Sequence, residues 1–157
     1  MFVKSKKILG IDYGDFTIGL AIFDLENDFI YPYKTIFREK ANILRKSIRE
    51  IVDIVVKENI DGIVIGLPLN LDGTSGERVS KVKVFEHMLE NKLIVNEKVK
   101  NIKIDFQDER LTTKEAESIL TERGVKKSEQ KKVLDQVAAE IILNDYKQIL
   151  NNKIERR

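Results

Sequence analysis

The chain has 157 residues, 42% of them hydrophobic and 34% charged, with net charge +2. That is enough to bury the core of one ordinary domain, while a charge so close to balance is weak evidence for a polyanionic partner. It has no cysteine and one histidine, His87, so disulfides, thiolate-ligated zinc and His-rich zinc sites are excluded and any metal must take oxygen ligands.

The N-terminal residues Met1-Phe2-Val3-Lys4-Ser5-Lys6-Lys7 lack the apolar stretch of a signal peptide, and no segment approaches membrane-spanning length. A cytoplasmic protein with no membrane partner is expected. The first element is a short apolar strand, Ile8-Leu9-Gly10-Ile11, that delivers Asp12 to its C-terminal end between Gly10 and Gly14. A second apolar run, Ile18 to Asp24, follows closely and reads as the partner in a hairpin. Residues 29–37 read as a third strand, and Pro32 places it at a sheet edge because proline cannot donate to a ladder. A helix is expected over about 41–59, with Leu44, Ile48, Ile51, Val52 and Val55 on one face.

The run Ile63-Val64-Ile65-Gly66-Leu67 is apolar on both faces, as for a covered strand, and leads into a loop dense in turn formers over 68–76. Thr74-x-x-Glu77 matches a capping box that opens a helix through about 94. A fifth strand, 102–107, runs into Asp108-Glu109-Arg110, and Thr112-x-x-Glu115 caps the next helix, which Gly124 stops. Ser128 suits the cap of a last helix running to about 150, with a charged tail over 151–157. The series is an α/β pattern on one mixed sheet flanked by helices, a single domain over 1–150.

Four acidic residues stand apart from the general charge: Asp12 at the end of the first strand, Asp108 and Glu109 at the end of the fifth, and Asp135 in the last helix. Ala138, Ala139 and Ile142 put Asp135 on an inward stripe, where a carboxylate must be paired or coordinated. Carboxylates converging without His or Cys suit Mg²⁺ or Mn²⁺. Each has a plainer reading: Asp12 as a turn residue, Asp108 and Glu109 as helix-N-terminal acids, Asp135 as a salt-bridged core acid.

Five motifs occur in order: Gly10-Ile11-Asp12-Tyr13-Gly14; Ile18-Gly19-Leu20-Ala21; Gly66-Leu67-Pro68-Leu69-Asn70 with Gly73 and Gly76; Asp108-Glu109-Arg110-Leu111-Thr112-Thr113; and Asp135-Gln136-Val137-Ala138-Ala139. The series resembles the YqgF family of pre-16S rRNA nucleases, also described as Holliday junction resolvases, over nearly the whole chain. The resemblance implies a ribonuclease H-like fold with sheet order 3-2-1-4-5 and a Mg²⁺-dependent endonuclease site. Its metal ligands would be Asp12, Asp135 and one or both of Asp108 and Glu109, and the sequence leaves that choice open. One departure is Thr17, where family members commonly carry a basic residue.

For substrate contact, Arg110 follows the acidic pair directly, and Asn70, Thr74 and Ser75 lie in the loop after the fourth strand. Arg123, Lys126, Lys127, Lys131 and Lys132 form the densest basic cluster, suited to backbone phosphates; a solvated helix junction is the default for any one lysine. His87 reads as a mid-helix surface or packing residue. The expected function is an endonuclease for structured nucleic acid, processing the 5′ end of precursor 16S rRNA or resolving a branched DNA junction, as monomer or homodimer. A non-catalytic nucleic-acid-binding factor is the alternative. Nucleotide phosphotransfer of the actin-like kind ranks low, because it needs two such domains.

Overall fold

The computed structural model describes residues 6–38, 44–69, 76–109 and 113–155. Five strands, β1 (Lys7–Tyr13), β2 (Thr17–Asp24), β3 (Phe29–Phe37), β4 (Gly62–Pro68) and β5 (Lys103–Glu109), form one sheet in the order β3-β2-β1-β4-β5. β1 pairs antiparallel with β2 and parallel with β4, and β4 pairs parallel with β5. The C-terminal ends of β1, β4 and β5 therefore share one edge of the sheet. The end of β3 lies level with them, because Thr17 faces Phe37 and Ile18 faces Tyr13. β3 is an edge strand, and its ladder slips between Leu20 and Ala21, opposite Lys34 and Pro32.

The sheet is covered on both faces. Against one lie α1 (Arg45–Lys57) and α2 (Glu77–Ile94), whose Ile48, Ile51, Val55, Val82, Phe85 and Leu89 meet Leu9, Ile11, Ile18, Leu20, Ile63 and Ile65. Against the other lies α4 (Lys127–Glu155), whose Ala139, Ile142, Leu143 and Tyr146 meet Ile8, Ala21, Phe23 and Val64. α3 (Thr113–Glu122) packs on α4 through Ala116, Leu120 and Val137. No described helix is long and apolar enough to cross a membrane.

Two helices stop on left-handed residues. Gly124 (φ 79°) ends α3, with Val125 N–H donating to Leu120 O and Gly124 N–H to Thr121 O, the two bonds of a Schellman motif. Asn59 (φ 56°) ends α1 the same way, with Ile60 N–H donating to Val55 O. Helix starts differ from expectation. α2 begins at Glu77 with extended Gly76 as its N-cap, so Glu77 sits in the first turn instead of closing a box with Thr74, which lies outside the described residues. α4 begins at Lys127, which puts Ser128 inside the helix. α4 also continues to Glu155 through the expected tail, with Lys153 in its last turn, where a cation suits the helix dipole.

Candidate active site

Strand alternation decides what reaches the α4 face. In β1, Ile8 belongs to the α4 core and Leu9 and Ile11 to the opposite one, so Asp12 shares the α4 face with Ile8 and Gly10. Its carboxyl is held well above the ordinary carboxylate range. Burial is the main cause, Glu109 and Asp135 add repulsion, and Arg78 pulls the other way.

Asp135 arrives from α4 because a strand residue has no side chain. Gly19, the cross-strand partner of Asp12, occupies the spot where a Cβ would strike the Asp135 carbonyl and lie 2.8 Å from the Asp135 Cβ. Asp135 is half-buried, and Ala138, Ala139 and Ile142 after it are buried, as the inward stripe requires. Gly10 does the same further along, beneath the Leu143 side chain.

The pair at the end of β5 separates. The strand remains regular through Glu109, so alternation holds to its last residue. Asp105 turns to α4, where its carboxylate accepts a hydrogen bond from the Tyr146 hydroxyl at 2.9 Å, while Ile104 and Phe106 pack with the α1/α2 core. Glu109 follows Asp105 and Gln107, and Asp108 follows Phe106. Glu109 therefore joins Asp12 and Asp135, while Asp108, the other residue of the expected pair, is exposed. Gly66 clears the space, since a Cβ there would come 2.7 Å from Glu109 Oε2. Burial raises the Glu109 carboxyl to about 7, with Arg78 opposing the rise and Asp135 and Asp145 adding to it.

Sequence reasoning missed Arg78. It lies in the first turn of α2, exposed, and its charge acts on both Asp12 and Glu109. The available signal was its position, since a cation at a helix N-terminus opposes the helix dipole and needs a compensating anion. Arg38 was missed as well. It is buried at the same edge, its Nη2 donates to Gly14 O, and its guanidinium lies 5.0 Å over the Tyr13 ring, which stacks on Phe85 at 4.5 Å.

Among the proposed contacts, Arg123 is committed elsewhere. Its Nη1 and Nη2 donate to the two Glu140 oxygens at 2.9 and 2.8 Å, and Glu140 is buried, so the pair ties the end of α3 to α4. Lys126, Lys127, Lys131 and Lys132 are exposed around the start of α4, Lys132 with an exposed Glu129 at 3.1 Å. Asn70, Thr74, Ser75 and Arg110 lie outside the described residues. His87 is exposed in α2.

The three carboxylates are close enough to repel one another, yet no ready-made cage of three or more metal-ligating side chains exists among the described residues. All the donors are oxygen, two of the carboxyls resist ionisation because of burial and neighbouring acids, and Arg78 is the counter-charge they share. Such a set fits a hard divalent cation, which would supply the missing positive charge.

A family model described as "RuvX: Holliday junction resolvase" matches residues 6–148. A protein of Orientia tsutsugamushi (strain Ikeda), named "Putative pre-16S rRNA nuclease", is 39% identical over 150 residues, covering 95% of this chain and 88% of its own length. One of the same name from Lachnospira eligens is 36% identical over 140 residues, covering 89% and 95%. Among solved structures, the fowlpox virus resolvase in complex with Holliday junction DNA superposes with a TM-score of 0.57 at 13% identity, over 92% of this chain and 98% of that one. T. thermophilus RuvC in complex with a Holliday junction substrate gives 0.55 at 8% identity, over 91% and 95%. At such identities these two establish the fold, which is ribonuclease H-like.

Proposed function

Since the chain belongs to the RuvX family of Holliday junction resolvases, we propose that it is a divalent-metal-dependent endonuclease that hydrolyses phosphodiester bonds in structured RNA, processing the 5′ end of precursor 16S rRNA in the cytoplasm. One observation carries the reading: carboxylates from β1, β5 and α4 meet at one sheet edge, with Asp12 and Glu109 resisting ionisation. In this reading Asp12, Glu109 and Asp135 hold Mg²⁺ or Mn²⁺. When bound, such an ion stabilises the attacking and leaving oxygens of a phosphoryl displacement. Asp108 is left out of the set.

The chain's own residues do the rest. Arg78 offers a guanidinium beside the acids, where it partly offsets their repulsion and faces an incoming phosphate. Lys126, Lys127, Lys131 and Lys132 attract backbone phosphates without reading sequence. Arg38, bound to Gly14 O and laid over Tyr13, fixes the turn that follows Asp12.

Resolution of a four-way DNA junction is the second reading, favoured by the family's description. Both are tested together by cleavage of a small-subunit rRNA precursor with its flanks and of a four-way DNA junction, using Mg²⁺, Mn²⁺ and EDTA. Metal-dependent cutting of the precursor, lost in a folded Asp12→Asn protein, is expected. Cutting of the junction alone would move the substrate to DNA, and binding without cutting of either would leave a non-catalytic factor.

A further inference from the structure

Two large aromatic side chains stand in solvent at the edge that carries Asp12. Phe16 is 59% exposed and Phe37 69% exposed, whereas Tyr13, at the end of the strand leading into the same turn, stacks on Phe85. The two are held by backbone. Arg38 N–H donates to Phe16 O at 2.8 Å, Gly14 N–H donates to Thr17 O at 2.8 Å, and Thr17 pairs with Phe37.

Phe37 has a definite address. Ile36 belongs to the α1/α2 core, so Thr35 and Phe37 share the α4 face with Asp12. Thr35 lies opposite Gly19, the partner of Asp12, and its hydroxyl accepts a hydrogen bond from Gln136 of α4 at 3.0 Å. Phe37 is two residues beyond Thr35 toward the edge, and Lys132 is one helical turn before Gln136 in the same direction. The exposed ring therefore shares a sheet face with Asp12 and lies toward the same edge as the lysines that open α4. An apolar plane bordered by exposed cations and set beside carboxylates suits an occupant with a flat π-face and a phosphate chain.

We propose that Phe37, with Phe16 at the neighbouring turn, is a stacking platform for an unpaired nucleobase of the substrate, and that Lys131 and Lys132 take the phosphates of the same strand. This rests on the nucleic-acid reading above and narrows it: the strand engaged next to the acids is single-stranded, because a base in a duplex has both faces covered.

The test is binding of wild-type protein and variants in EDTA, so that cleavage does not intervene. The probes are a twelve-nucleotide single-stranded RNA carrying 2-aminopurine at its centre and a blunt RNA duplex of the same length. With wild type the 2-aminopurine fluorescence is quenched on binding. Phe37→Leu abolishes the quench and weakens the single strand about 5- to 100-fold, the range for one lost base stack, while the duplex binds as before. Phe37→Tyr keeps the quench and stays within about 3-fold of wild type, since the π-face is kept. Phe16→Leu gives a smaller loss of the same kind. The double change Lys131→Gln with Lys132→Gln flattens the salt dependence and leaves the quench in place. The proposal falls if wild type shows no quench, if Phe37→Leu binds the single strand normally, or if strand and duplex weaken together. It also falls if Phe37→Leu only dissociates a dimer, which would make the patch a self-interface. Cleavage has no part in these readouts, so an inactive protein that passes them would refute the nuclease and leave the platform standing.

Discussion

The two faces of the sheet are built on different principles. Toward α1 and α2 the strands present branched aliphatics, Leu9, Ile11, Leu20, Ile63 and Ile65, each fully buried. Toward α4 they present Gly10, Gly19, Ala21 and Gly66 among the larger Ile8, Phe23 and Val64, and the helix answers the small residues with Ala138 and Ala139. Large side chains hold a helix away from a sheet and bury apolar area as they do so. Glycines surrender that area and let helix backbone reach strand backbone, as at Gly19 and Asp135. One face is therefore where stability is concentrated. The other trades packing for proximity and sets a helix carboxylate against two strand carboxylates.

Substitutions on each face sharpen or break this division. The largest effect is expected at the acids: Asp12→Asn and Glu109→Gln should each lower cleavage at least about 100-fold, beyond the loss typical of residues that merely support metal ligands. Asp108→Asn should stay within about 3-fold by the same reasoning. Equal losses at 108 and 109, measured as kcat on one substrate, would return Asp108 to the ligand set. On the opposite face, Leu89→Ala should cost about 2–5 kcal/mol in urea unfolding and leave the activity of the folded fraction intact. An activity loss exceeding the unfolded fraction would show that the faces are not independent.

The glycines give a finer contrast. Gly19→Ala drives a methyl into Asp135 backbone, which cannot rotate away, whereas Gly10→Ala meets only the Leu143 side chain. The first should cost about 1–3 kcal/mol and reduce cleavage, and the second should cost less and spare it, as read by thermal unfolding and initial rates.

The smallest effect is in the pH dependence. Glu109 titrates near 7 in the fold, above its ordinary value, so the native state holds a proton that the unfolded chain has released. Stability without metal should therefore fall as pH rises from about 4.5 through about 7, by on the order of 1–3 kcal/mol, and Glu109→Gln should flatten that slope. Mg²⁺ should raise the melting temperature more at pH 8 than at pH 6, because binding must displace the proton. A melting temperature that rises across this pH range in wild type would contradict the buried acid pair.

Much of this was legible in the chain. Apolar runs and a short link mark the hairpin, Pro32 marks the edge strand, and Gly124 marks the end of α3. The alanines after Asp135 mark the inward stripe. The choice between Asp108 and Glu109 was not legible, because it depends on whether the strand stays regular for one more residue, which pairing with β4 decides. Arg78 reads in one dimension as another solvated helix charge, and only the fold brings the acids to it. Arg123 looked free for the same reason: Glu140 is 17 residues away in sequence and meets it only once α3 folds back on α4. The start of α2 was misread because a Thr-x-x-Glu pattern and an extended glycine compete for one cap, and Gly76 takes it.

The two borders of the sheet have a consequence for how copies of this protein can meet. A bare border strand offers a row of unpaired amides and carbonyls to any neighbour, the start of runaway fibre growth. On β3, Pro32 removes one donor and the slip beside it spoils the spacing of the rest. On β5, Lys103, Asp105 and Asp108 are exposed, so charge stands along the other border. Strand-to-strand docking is discouraged at both borders.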